Sequence, residues 1–236
     1  MSKKNEDYKN LIAHWNAAFR MTEEEKRQTI TEEEAAEFMQ LAPSPKLASA
    51  AAELAGCENA LDYGCGNGWA GIIAARSGCK CVTCADPAPN ACETAACLAK
   101  LFRAEESVHT VCVTEDWLAG VPEGSYDGIF CSNVLDVVPP EMSDEIIKNL
   151  ARAACPGAKV TVGLNYYLPP EQAAEKGMEL KDGCALYLDG VLRLVTRTDE
   201  DWRERLGRYF TVERLDRFAW PGEDTERRRL FFLRKN

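Results

Sequence analysis

Apolar positions along the first fifty-odd residues recur at helical spacing. In YKNLIAHWNAAF, Tyr8 to Phe19, the side chains of Leu11, Ile12, Trp15 and Phe19 fall on one face and predict an amphipathic helix. Thr31 with Glu34 three residues on reads as the capped start of a second helix that buries Phe38, Met39 and Leu41 and stops at Pro43 and Pro45. An alanine-rich run, Lys46 to Ala55, predicts a third helix ended by Gly56. Beyond Gly56 short apolar runs alternate with helical stretches. Strands are expected at Asn59–Tyr63, Lys80–Ala85, Val108–Val113, Tyr126–Ser132 and Lys159–Leu164. Helices are expected at Trp69–Ser77, Ala88–Phe102 and Glu141–Ala154, the last ended by Pro156-Gly157. This alternation predicts an α/β fold, a mostly parallel sheet with helices on both faces.

After Leu164 the alternation pauses. The run ALYLDGVLRLVT sets Asp189-Gly190 between two apolar arms, the signature of a hairpin with a two-residue turn, and its place after the fifth strand suggests a lid over the sheet edge where open α/β folds bind ligands. Thr198 to Phe210 reads as a capped helix, and Val212–Trp220 with Arg227–Arg234 as an antiparallel pair around Pro221-Gly222. The expected division is 1–56, a helical cap; 57–164, the sheet core; 165–197, the lid insert; and 198–236, the last helix and strands, all in one domain.

Composition narrows the partners. The chain has 236 residues, 46% of them hydrophobic, and a formal charge of −10, which repels phosphate backbones and argues against DNA. No run is long and apolar enough for a membrane span, and MSKKNEDYKN leads into no signal core, so a cytoplasmic protein, monomer or homodimer, is expected. Eleven cysteines, an odd number in apolar settings, read as reduced core thiols. Cys79, Cys81 and Cys84 lack a second pair at zinc spacing, so no metal is expected; His109 reads as structural, whereas His14 beside Trp15 stays open.

The informative segment is ALDYGCGNGWAG, residues 60–71. Gly64, Gly66 and Gly68 fall where a strand must turn into a helix, and glycine permits both positive φ and close approach of a ligand. Gly66, Gly68 and Gly71 also satisfy G-x-G-x-x-G, with Asp86 twenty residues on, so a nicotinamide dinucleotide is one reading. Asp62 favours another: a carboxylate two residues before Gly64 repels a pyrophosphate but suits an ammonium.

These residues resemble the class I S-adenosylmethionine-dependent methyltransferases over about Asn59 to Leu164: Leu61-Asp62-Tyr63-Gly64-Cys65-Gly66-Asn67-Gly68, then Asp86, then Gly124-Ser125-Tyr126-Asp127, then Asn133-Val134-Leu135-Asp136-Val137-Val138. The resemblance implies a Rossmann-like, seven-stranded sheet with an antiparallel last strand, and S-adenosylmethionine as cofactor, leaving as S-adenosylhomocysteine. It implies that Asp62 and the loop of Gly64, Cys65, Gly66 and Gly68 hold the methionine end. Asp86 and Pro87 would then meet the ribose, Glu115, Asp116 and Trp117 border the adenine, and Asn133 and Val134 lie under the sulfonium. Asp136, His14 and Tyr166 are the candidate general bases, and Trp15, Asp136, Tyr166 and Tyr167 the candidate substrate contacts. Lacking a [D/N]-P-P-[Y/F] element after the fourth strand, the chain is expected to methylate a small molecule. An NAD(P)-dependent oxidoreductase and a non-catalytic S-adenosylmethionine-binding protein are the alternatives.

Overall fold

The structure is a computed structural model that describes residues 3–236, so Met1 and Ser2 of the expected cap lie outside the described residues. Helix α1 (Lys3–Ala18) is followed by the short α2 (Glu32–Ala36) and by α3 (Pro45–Ala52). Thr31 and Glu34 form the expected capping box, yet α2 ends within two turns. Phe38–Leu41 is a separate tight 3-10 turn, and Met39 is 38% exposed instead of buried. Pro45 opens α3 at a position where its missing N–H costs nothing, and the Ser44 hydroxyl accepts from Leu47 N–H.

The core alternates as its sequence pattern dictates: β1 (Asn59–Tyr63), α4 (Trp69–Arg76), β2 (Cys81–Asp86), α5 (Pro89–Leu101), β3 (Val108–Cys112), the one-turn α6 (Trp117–Gly120), β4 (Tyr126–Ser132), α7 (Pro140–Ala153) and β5 (Ala154–Leu164). The insert carries α8 (Pro170–Glu175), β6 (Glu179–Lys181), β7 (Ala185–Leu188) and β8 (Val191–Val195); α9 (Asp199–Gly207), β9 (Phe210–Phe218) and β10 (Arg228–Lys235) complete the chain. Strand β5 starts five residues before the expected Lys159, because its pairing with β4 passes through Pro156-Gly157 with a register shift.

The main sheet has seven strands in the order β3-β2-β1-β4-β5-β10-β9. Strands β1 to β5 pair in parallel, and β10 runs antiparallel to both its neighbours. Two apolar layers cover it. Leu61, Ile129, Val160 and Phe231 pack with α7 and Trp202 on one face, while Ile72, Ile73, Phe130 and Phe232 pack with α3 and α4 on the other. Both layers are shut off from water, and at about 25 cal/mol per Å² of apolar area their burial is the main force holding the fold.

The insert differs from a plain hairpin. Asp189 (φ 53°) and Gly190 (φ 76°) make the expected tight turn, but β6 adds a third strand, giving an antiparallel sheet β6-β7-β8. Both ends of the insert are clamped to the core. The buried Asp136 carboxylate accepts from Asn165 N–H (2.6 Å), and its carbonyl accepts from Val195 N–H (2.7 Å). Arg229, fully buried, donates to Asn165 O (2.8 Å) and Arg197 O (2.6 Å).

Candidate functional site

After Tyr63 the chain turns into α4 through Gly64 (φ +70°), Gly66 (+55°) and Gly68 (+77°). All three are demanded by close approach as well as by φ, Gly68 because a Cβ there would lie 2.8 Å from Ala95 Cβ. A Cβ on Gly64 would lie 2.3 Å from Val134 Cγ2, and one on Gly66 would lie 2.7 Å from the Phe19 ring. The loop's amides face inward. Gly64 and Cys65 N–H donate to Ala85 O (2.8 and 3.2 Å), Gly66 N–H to Asp86 Oδ2 (2.9 Å), Gly68 N–H to Cys65 O (2.9 Å) and Gly71 N–H to Asp62 Oδ2 (3.0 Å). Five of the turn's amides are therefore taken up inside it, two of them by carboxylates.

Above the loop lies a cavity of about 490 Å³. Its floor is Gly64 to Asn67, with Asp86, Pro87 and Glu115 at the β2–β3 side, Ser132 to Val134 after β4, and Trp220 from the β9–β10 connection. Leu11, Ile12, Trp15 and Phe19 of the α1 segment roof it, and Val138, Met142 and Ile146 close one wall. The roof is fixed at both ends. Asn90 N–H and Nδ2 donate to Asn16 (2.8 and 2.7 Å) and Thr94 Oγ1 to Phe19 O (2.7 Å), while Tyr187 donates to Asp7 (2.9 Å) at the other end. Trp15 stacks on Phe19 with centroids 5.7 Å apart.

The β2–β3 end is electronegative. Tyr8 has its hydroxyl pushed up to about 12 by burial and then by the charges of Glu115 and Asp86. Burial also raises Asp86 and Asp136, and lifts Asp62 to about 7, only partly offset by Gly71 N–H. A buried acid whose folded pKa is raised binds more protons folded than unfolded between the two values, so its contribution to stability falls as pH rises through that window. Without ligand, the Asp62 contribution to the melting temperature is expected to decline from about pH 4 to about pH 7. Asp62→Asn is expected to flatten that decline, and a scanning-fluorimetry series reads both; an equal slope in the variant would remove Asp62 from the cause.

The structure sorts the expected site residues by place. Gly64, Cys65, Gly66, Asp86, Pro87, Glu115, Asn133, Val134 and Trp15 line the cavity. Others lie off it. Asp62, 4% exposed, stands behind the loop and holds the first turn of α4, and Gly68 packs against Ala95. Asp116 and Trp117 border a separate hollow with Thr114 and Tyr126. None of the three base candidates reaches the cavity wall: Asp136 is wholly buried in the insert clamp, His14 is exposed on the outer side of α1, and Tyr166 lies under Arg227. Tyr167 is 40% exposed. No described residue of the insert lines the cavity, which corrects the expectation of a lid in contact with substrate; the small sheet braces α1 from outside. Sequence reasoning missed Tyr8, Tyr63, Trp69, Met142 and Trp220 as lining residues. Only Tyr8 carried a signal, since it shares the apolar face of α1.

Acid groups at one end, apolar and aromatic walls at the other, and a glycine floor together suit a nucleoside with hydroxyl and amine donors. Residues 60–157 match a family model described as a methyltransferase domain. No curated protein matches the chain in sequence. Among solved structures, 1,6-didemethyltoxoflavin-N1-methyltransferase of Burkholderia thailandensis, with bound 1,6-didemethyltoxoflavin and S-adenosylhomocysteine, is similar at TM-score 0.69 and 18% identity, covering 100% of this chain and 92% of that one. The N-methyltransferase NodS of Bradyrhizobium japonicum, in complex with S-adenosylhomocysteine, is similar at TM-score 0.56 and 17% identity over 86% of both chains. The [4+2]-cyclase SpnF is similar at TM-score 0.56 and 20% identity, covering 73% of this chain and 58% of that one. At such identities the likeness shows the fold, which is the Rossmann-like class I methyltransferase fold.

Proposed function

We propose that this chain, whose residues 60–157 match a methyltransferase-domain family model, transfers the methyl group of S-adenosylmethionine to a small-molecule acceptor. The observation that carries the choice of cofactor is the inward-facing glycine loop. Its amides at Gly64, Cys65, Gly66, Gly68 and Gly71 are already bonded, two of them to the buried carboxylates of Asp86 and Asp62, so a pyrophosphate set against the loop meets acids and no positive side chain. Among the described residues no Lys, Arg or His lines the cavity. A sulfonium nucleoside with its ammonium needs no such cation and suits the acids.

In this reading Asp86 accepts the ribose hydroxyls, Glu115 and Pro87 border the adenine, and Gly64, Cys65 and Gly66 let the methionine chain lie against the loop. Asp62 acts through the loop by fixing Gly71. Asn133 and Val134 lie beneath the reacting centre. S-adenosylmethionine supplies an electrophilic methyl: the acceptor's lone pair bonds to carbon as the C–S bond breaks with its pair going to sulfur, and any proton displaced leaves to water. The protein contributes alignment and exclusion of water beneath α1, both of which speed an in-line displacement. The similar didemethyltoxoflavin enzyme, with its small acceptor bound, supports a small acceptor here.

Calorimetric titration with S-adenosylmethionine, S-adenosylhomocysteine and NAD tests the reading. The two adenosyl ligands are expected to bind at micromolar strength, about −8 kcal/mol, and NAD not at all. NAD binding alone would move the protein to the oxidoreductases. S-adenosylhomocysteine release on addition of an acceptor separates an enzyme from a mere binder.

A further inference from the structure

The expectation that every cysteine is a core thiol fails at one position. Among the described residues Cys112 alone of the eleven cysteines is exposed, at the end of β3, an edge strand of the main sheet. Strand pairing sets it directly beside Asp86. The Cys112 thiol lies 4.0 Å from Pro87 O, and the carbonyl before that, Asp86 O, accepts from the Cys92 thiol at 3.2 Å. Two thiols from different elements, β3 and the first turn of α5, thus converge on one peptide segment. Burial, and then the charge and hydrogen bonding of Cys112, push the Cys92 thiol up to about 12, so the two sulfurs are direct neighbours.

The segment they share is part of the cavity. Asp86 and Pro87 both line it, and Asp86 O is held from a second side by Val113 N–H (3.0 Å). Cys65 and Cys84 also meet, but both are buried. Cys112 instead opens its pair to solvent. An oxidant meets the exposed thiol first, and the buried one stands where it can displace the oxidised group.

We propose that Cys92 and Cys112 are a redox-sensitive pair, joined as a disulfide by a peroxide, and that the disulfide weakens binding of the nucleoside at Asp86 and Pro87. The second half rests on the methyltransferase reading. The Cys112 sulfur attacks one oxygen of hydrogen peroxide, the O–O bond breaks, and the departing hydroxide takes up the thiol proton as water. The Cys92 sulfur then attacks the sulfenic sulfur, the S–O bond breaks, and that hydroxide leaves with the Cys92 proton as a second water. Two thiols are oxidised to one disulfide while the peroxide is reduced to two waters. Disulfide sulfurs lie about 2 Å apart and carry no proton. Closing the bond therefore draws α5 and β3 together across the segment and takes the thiol donor from Asp86 O, which shifts Asp86 and Pro87 in the cavity wall.

The test treats the protein with hydrogen peroxide, caps remaining thiols with iodoacetamide and maps the peptides by tandem mass spectrometry. A link between Cys92 and Cys112 is expected in wild type and no link in Cys112→Ser. Calorimetry with S-adenosylhomocysteine is expected to show binding weakened about fivefold or more after oxidation and recovered with dithiothreitol. Reduced Cys112→Ser should bind within about twofold of wild type, which also reports that the variant is folded, and peroxide should leave its affinity unchanged. Linkage is reciprocal, so saturating S-adenosylhomocysteine is expected to make the disulfide easier to reduce by the same factor in a dithiothreitol redox buffer. No link, a link to a different cysteine, unchanged affinity in the linked protein, or a loss that persists in Cys112→Ser would each overturn the proposal while leaving the cofactor reading standing. Failure of S-adenosylhomocysteine to bind the reduced protein would instead overturn the cofactor reading and, with it, the ligand half of the proposal; the peptide map would still decide the disulfide.

Discussion

Gly66→Ala is expected to reduce the affinity for S-adenosylhomocysteine about a hundredfold or more, close to 2.7 kcal/mol. Two effects combine at this residue. The backbone is left-handed (φ +55°), which costs a side-chain-bearing residue about 1 kcal/mol. The added Cβ would also sit 2.7 Å from the Phe19 ring, which stacks on Trp15 in the roof of the chamber. A ring held on both sides cannot yield without moving the end of α1, and that movement reshapes the cavity over the loop. Gly56→Ala is the matched control, since it shares the left-handed backbone (φ +79°) but its Cβ meets nothing within 4 Å. Gly56→Ala should lose about 1 kcal/mol of stability in denaturant titration and Gly66→Ala at least as much, and only Gly66→Ala should lose the ligand. If the two bound alike, the glycine loop would not be the cofactor's floor.

Asp86→Ala is the second large effect, again about a hundredfold on S-adenosylhomocysteine. One carboxylate oxygen accepts from Gly66 N–H (2.9 Å) and the other from Ala88 N–H (2.8 Å), and the residue lines the cavity. Each oxygen keeps a lone pair for a further donor. Removing the carboxylate therefore strips two buried amides of their partner and deletes the group facing the ribose. A 2′,3′-dideoxy analogue of S-adenosylhomocysteine separates these losses. Wild type is expected to prefer the ribose form by about tenfold or more, and Asp86→Ala to bind the two equally. A preference surviving in the variant would place ribose recognition elsewhere.

Signals that act over a few residues were legible in the sequence. Thr31-x-x-Glu34 and Thr198-x-x-Asp201 both close capping boxes, and Asp189-Gly190 makes its tight turn, because caps and turns are set by local sterics and hydrogen bonds. The alternation from Asn59 to Leu164 marked the strands and their helices within a few residues, since a strand buried on both faces must be a short apolar run. The glycine loop announced the cavity floor for the same reason: positive φ and close approach leave few residue types to choose from. Roles assigned to Asp136, Tyr166 and Trp117 fared differently. A carboxylate after β4 reads alike whether it meets a substrate or, as here, Asn165 and Arg229.

What the chain determined by itself is thus the kind of fold, the strand-to-helix turn and the chemistry that turn can serve. The tertiary structure decided the rest: β10 lying between β5 and β9, the insert bracing α1 from outside the cavity, and Trp220 joining the cavity wall from the β9–β10 connection. These are meetings of residues tens to more than a hundred positions apart. No local pattern encodes them, because each is fixed by the packing of whole layers and by the few buried polar groups, Asp136 and Arg229 foremost, that must find partners once those layers close.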